Sequence, residues 1–171
     1  MNTITRKLKA ELWRRFGTSD YPAEWDGRVH GGGKLSQRHW EYFIGVGLLD
    51  LAPDSSVLDL GGGSPATGAG FFASLLAREI RKVTVLDPNV AEGAESGNRV
   101  ELIRALGDHE TVAQVLKARP DITHISSISV LEHIQPTVRA GIISAINECF
   151  NGESFVATFE FPAVSESVTS R

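Results

Sequence analysis

An α/β fold, with a mostly parallel sheet held between two layers of helices, is predicted by three observations in this chain of 171 residues. Short β-branched or aliphatic runs alternate with segments of helical periodicity, and successive parallel strands need crossovers of that kind. The run Val57-Leu58-Asp59-Leu60-Gly61-Gly62-Gly63 joins an apolar strand to a glycine turn, and glycines there let the backbone bend sharply and approach a ligand closely. Lys82-Val83-Thr84-Val85-Leu86-Asp87 is a second strand closing on an acid. It stands about 25 residues beyond the glycine turn, against the ~20 of doubly wound nucleotide folds.

The elements follow in order. Near the N-terminus, Arg6, Lys7, Lys9, Arg14 and Arg15 face Glu11 alone, while Leu8, Leu12, Trp13 and Phe16 recur near helical spacing. This predicts a helix that docks its apolar stripe on the domain, with a surface-seeking basic helix as the alternative. Residues 17–35 read as a loop. Its His30-Gly31-Gly32-Gly33-Lys34 is no phosphate-binding P-loop, because Arg28 and Leu35 stand where glycine and Ser or Thr are needed. Ser36 caps a helix whose apolar positions are Trp40, Phe43, Ile44, Leu48 and Leu51, with Trp40 assigned to the core. After the glycine turn, Phe71, Phe72, Leu75, Leu76 and Ile80 mark a helix running to Arg81-Lys82, where cations suit the negative end of its dipole.

Residues 89–99 hold a turn or loop, a third strand covers 100–105, and Val112, Val115 and Leu116 mark the next helix. A fourth strand at 122–128 ends in serines, Val138, Ile142, Ile143, Ile146 and Phe150 mark the last helix, and a fifth strand alternates over 155–161. Right-handed crossovers then give strand order 3-2-1-4-5. Residues 1–51 form a helical cap segment and 52–171 the sheet domain.

Bulk properties narrow the function. The apolar share, 42%, supplies a core, and a net charge of -4 argues against a nucleic-acid backbone as the main partner. A single cysteine, Cys149, forms no internal disulfide and suits a reducing compartment. No apolar run approaches the ~20 residues that span a bilayer, and no secretory leader is recognisable, so a cytoplasmic protein without a membrane partner is expected.

Asp59 indicates which ligand the glycine turn would take. Gly61, Gly63 and Ala66 match G-x-G-x-x-G/A. A carboxylate two residues before the first glycine repels a dinucleotide pyrophosphate but attracts a sulfonium-bearing amino acid. The segment resembles the first motif of class I S-adenosylmethionine-dependent methyltransferases, departing from it at Pro65. Leu106-Gly107-Asp108 resembles that family's third landmark, and Ser129-Val130-Leu131-Glu132-His133-Ile134 resembles its V-L-E-H segment. The landmarks span roughly residues 56–161 in family order. The resemblance implies a Rossmann-like three-layer sandwich and S-adenosylmethionine as cofactor, held by Asp59, Gly61, Gly62, Gly63, Asp87 and Asp108. Asp87 would accept hydrogen bonds from the ribose, and Asp108 would lie near the adenine. It also implies that a lid over the site draws on His30, Lys34, Arg38, Trp40 and Tyr42. No metal ligands are assigned.

The plainer readings stay open. Asp87 before Pro88 is also turn chemistry, Asp108 also suits a helix N-cap, and His133 is also a packing or binding residue. As catalyst, His133 would take a proton from a hydroxyl acceptor, with Glu132 or His30 as substitutes, since imidazole titrates near neutrality. The expected function is O- or N-methylation of a small-molecule or glycan-type acceptor; the alternative is a non-catalytic S-adenosylmethionine-binding module. An esterase reading of His30 to Gly33 with Ser64 fails, because no apolar strand precedes His30 and alanine stands at the last elbow position. The family usually continues with a further helix and a strand hairpin, which residues 162–171 are too short and polar to form. A domain truncated after strand 5 is therefore expected, with that strand an edge open to a homodimer.

Overall fold

The computed structural model describes residues 2–16, 37–64, 68–92, 94 and 97–159. Two helices come first, α1 (Thr3–Phe16) and α2 (Gln37–Leu49), then β1 (Ser56–Leu60), a small antiparallel hairpin of β2 (Gly63–Ser64) and β3 (Gly68–Ala69), and α3 (Phe71–Leu76). There follow β4 (Lys82–Leu86), β5 (Val100–Ile103), α4 (His109–Ala118), β6 (His124–Ile128), a single 3-10 turn at Leu131–His133, α5 (Pro136–Cys149) and β7 (Ser154–Thr158). Five strands form one parallel sheet in the order β5-β4-β1-β6-β7. The fold is a Rossmann-like α/β sandwich. Its strand numbering differs from 3-2-1-4-5 because the hairpin, which periodicity did not reveal, supplies the second and third strands of the chain.

Alternation along the strands divides the core in two. Val57, Val83, Val85, Ile128 and Val156 pack with α1, α2 and α3, including Leu8, Leu12, Val46 and Phe72. Leu58, Leu60, Leu86 and Ile125 pack with α4 and α5 through Val112, Leu116, Ile142 and Ile146. Because helices cover both faces, β1 and β6 are buried along their whole length, as central parallel strands must be. β5 and β7 are only partly buried and lie at the two edges of the sheet among the described residues.

Several expectations are corrected. α1 docks through Ile4, Leu8 and Leu12, but Trp13 stays 42% exposed. In α2 the buried stripe is Glu41, Gly45, Val46 and Leu49, whereas Ile44 and Leu48 face outward, Leu48 at 61% exposure. Trp40 is half-buried and stacked on Phe43 at 5.6 Å rather than set in the core. The small face wins because it lets α2 lie close over β6, with Gly45 against Ile128.

α3 stops at Leu76, where backbone bonds from Arg78 to Leu75 and from Glu79 to Leu76 tighten the chain into a turn. Arg81 and Lys82 pair with Asp121 and Glu101 instead of serving a helix end. The third strand ends at Ile103, the fourth starts at His124, and the fifth runs from Ser154 to Thr158. Ser36, the proposed cap of α2, and residues 160 and 161 lie outside the described residues.

Candidate ligand site at the carboxyl edge of the sheet

Parallel strands gather their carboxyl ends on one edge, and there the chain leaves β1 toward α3 on one face and β6 toward α5 on the other. Ligands of doubly wound sheets bind in the crevice at such a reversal of strand order. A cavity of about 350 Å³ opens at that point, lined by the carboxyl ends of β1 and β4 (Leu60, Gly61, Leu86, Asp87), by Leu106 and Gly107, and by Ser129 to Leu131 and His133. That volume is at the lower end for a small-molecule site. A second, smaller cavity of about 90 Å³ shares Leu60, Gly61 and Gly63 with it and continues beneath the glycine loop to Tyr42, Asp59, Phe71 and Phe72. Among the described residues, neither is lined by a lysine or an arginine.

The glycine loop is shaped by two requirements. Gly61 sits at φ +74, in the left-handed region open to glycine, and its amide donates to the Leu86 carbonyl at 2.9 Å. Gly62 covers Asp59 so closely that an added Cβ would lie 1.9 Å from Asp59 Oδ2. Asp59, on β1, is 2% exposed. Its Oδ1 accepts the Ser126 hydroxyl at 2.7 Å, made possible because Asp59 and Ser126 are partners in the β1–β6 register. Oδ2 has no hydrogen-bond partner among the described residues. Burial pushes this carboxyl up to about 7; the Ser126 bond opposes the shift and the charge of Asp87 adds to it.

Asp87 ends β4 and is also buried. Its Oδ2 accepts the Gly63 amide at 3.1 Å and its Oδ1 the Asn89 amide at 2.7 Å. The turn reading and the site reading therefore coexist: Asp87 shapes the turn at Asn89, fastens the glycine loop to β4, and lines the larger cavity.

Asp108 does not line either cavity. It caps α4, Oδ1 accepting the Thr111 amide at 2.9 Å, and that bond holds its carboxyl below the ordinary carboxylate range. Leu106 and Gly107 reach the cavity in its stead.

His133 lies in the 3-10 turn after β6 and lines the larger cavity, its side chain 67% exposed, with Nε2 3.9 Å from Glu132 Oε1. Of the expected lid residues, Tyr42 lines the smaller cavity and stacks on Phe72 at 5.0 Å. His30 and Lys34 lie outside the described residues, and Arg38 belongs to α2.

Three polar residues were missed. Ser126 holds Asp59, and Ser129, a non-glycine residue at φ 51, donates its hydroxyl to the buried Glu41 of α2 and its amide to Thr158 Oγ1 at 3.0 Å. The serines closing the fourth strand were a visible signal. Glu41 could have been found as the one acid on the stripe with Gly45 and Leu49.

Fold and site together define an α/β protein with a cavity of about 350 Å³ at the carboxyl edge of its sheet and two buried acids beside a glycine loop. Compared with models of protein families and with curated proteins, the sequence matches none. No helix among the described residues is long and apolar enough to cross a membrane.

Proposed function

We propose that this chain is an S-adenosylmethionine-dependent methyltransferase for a small-molecule or glycan-type acceptor, placed in the cytoplasm on the ground of its single cysteine. One observation carries the reading: buried Asp59 and Asp87 flank the glycine loop, and neither adjoining cavity is lined by Lys or Arg among the described residues. A pyrophosphate would meet two buried acids and no counter-charge from the described residues, whereas a ligand with a cationic arm can pair with both in their ionised form.

The residues fit that cofactor. Asp59 Oδ2 is a buried acceptor with no hydrogen-bond partner among the described residues, and the aromatic walls of Tyr42, Phe71 and Phe72 suit a cation. Asp87 retains lone pairs beyond its two backbone bonds for ribose hydroxyls, and the apolar Leu86, Leu106, Ile134 and Val138 offer surface for a base. When bound, S-adenosylmethionine would supply an activated methyl group for a single displacement. The chain's own part is then to orient, to exclude water and, at His133, to take the proton of a hydroxyl acceptor.

A second reading, a module that binds the cofactor without transfer, is favoured by the exposure of His133 and by the absence, among the described residues, of a hydrogen bond orienting its ring. Calorimetric titration with S-adenosylmethionine, S-adenosylhomocysteine and NAD tests the cofactor, and a methyl-transfer screen on the same protein separates the two readings. Micromolar binding of the sulfur nucleosides with far weaker NAD binding is expected. Tight NAD binding with no affinity for either sulfur nucleoside overturns the proposal.

A further inference from the structure

Asp59 is the most enclosed acid beside the cavities. It is 2% exposed, Gly62 lies over it, and Ser126 is its one hydrogen-bond donor among the described residues. Among the described residues, the elements around it bring little positive charge. β4 brings Asp87, already bonded to Gly63 and Asn89; α2 brings Glu41 and Tyr42; β6 brings Ser126; α3 brings the apolar Phe71 and Phe72; and the turn after β6 brings Glu132 and the exposed His133. A charge enclosed beside a second carboxylate is held there at a cost that a neutral acid avoids.

Resting on the cofactor reading above, we propose that Asp59 couples ligand entry to proton release: the empty site holds it as the neutral acid, and the ammonium of the ligand's amino-acid arm displaces its proton. The O–H bond of the carboxyl breaks, the proton passes to solvent, and the carboxylate is left paired with the ammonium; no electrons are transferred. The position of this carboxyl near 7 puts the coupling in the neutral range. Affinity for a ligand with the arm therefore rises about tenfold per pH unit below ~7 and levels off above it.

The experiment is calorimetric titration of the full chain with S-adenosylhomocysteine, in paired buffers of different ionisation enthalpy, near pH 6 and near pH 8.5. 5′-Methylthioadenosine, which lacks the arm, serves as the second probe. Release of close to one proton per S-adenosylhomocysteine near pH 6, close to none near pH 8.5, and none with methylthioadenosine is expected, with Asp59→Asn abolishing the release. Normal binding of S-adenosylhomocysteine without proton release, or equal release with both probes, overturns the coupling and leaves the cofactor reading standing. Failure of every sulfur nucleoside to bind overturns both. In the ligand-free protein, an identical pH dependence of unfolding for wild type and Asp59→Asn shows that Asp59 is already ionised and overturns the coupling alone.

Discussion

Asp87 and Asp59 differ in what they hold, and so in what their loss should do. Asp87 presents a carboxylate to the larger cavity while fastening Gly63 and Asn89. Charge-assisted bonds to ribose contribute on the order of 1.5 to 3 kcal/mol each, so Asp87→Ala should weaken S-adenosylhomocysteine binding at least tenfold with the fold intact. An unchanged dissociation constant by calorimetry would leave Asp87 as a turn residue only. For Asp59, the folded carboxyl is raised to about 7 from 3.8. A raised acid contributes stability in its protonated form, fully present below the unfolded value and lost as pH rises through the folded one. Urea unfolding should therefore show stability falling between about pH 4 and 7 by up to roughly 1.4 kcal/mol per unit, and Asp59→Asn should flatten that slope. His133 lines the cavity with no such burial. If it takes the acceptor's proton, His133→Ala should lower turnover by roughly a hundredfold or more at nearly constant cofactor affinity. A loss of affinity with unchanged turnover at saturation would move it to the binding surface.

At the scale of elements, local pattern and tertiary contact each decided different things. Asp108 before His109 was open to a cap or an adenine role, and the Thr111 bond shows the cap. Asp108→Ala should thus lower the melting temperature while leaving nucleoside affinity unchanged, measured by thermal unfolding and calorimetry on the same sample; a tenfold loss of affinity would restore the adenine role. Two apolar stripes overlap along α2, so periodicity alone does not choose its buried face. The larger side chains, Trp40, Ile44 and Leu48, suggest one face, yet the sheet accepts the smaller one, with Glu41 held by Ser129. α3 is shorter than its spacing implies for a related reason: Ile80 is buried, as helical spacing predicts, but it reaches the core from beyond the helix end at Leu76. The β2–β3 hairpin was invisible because two-residue strands carry no periodicity.

For the whole molecule, β7 at the edge of the sheet and Phe159 at 41% exposure motivate a homodimer paired along that strand. Light scattering should give twice the chain mass; a monomer would contradict the assembly, and a slowly exchanging Phe159 amide in that monomer would mean that the chain itself covers the edge. The sequence by itself determined the alternation of strands and helices and the glycine turn with its neighbouring acids, because each follows from local spacing and backbone chemistry. Only the tertiary structure decided which acid is buried and which caps a helix. Asp59 meets Ser126 across 67 residues of chain and Glu41 meets Ser129 across 88. Contacts at that separation arise from strand register and helix packing, which local periodicity does not encode, and they decide which acids near the cavity are buried.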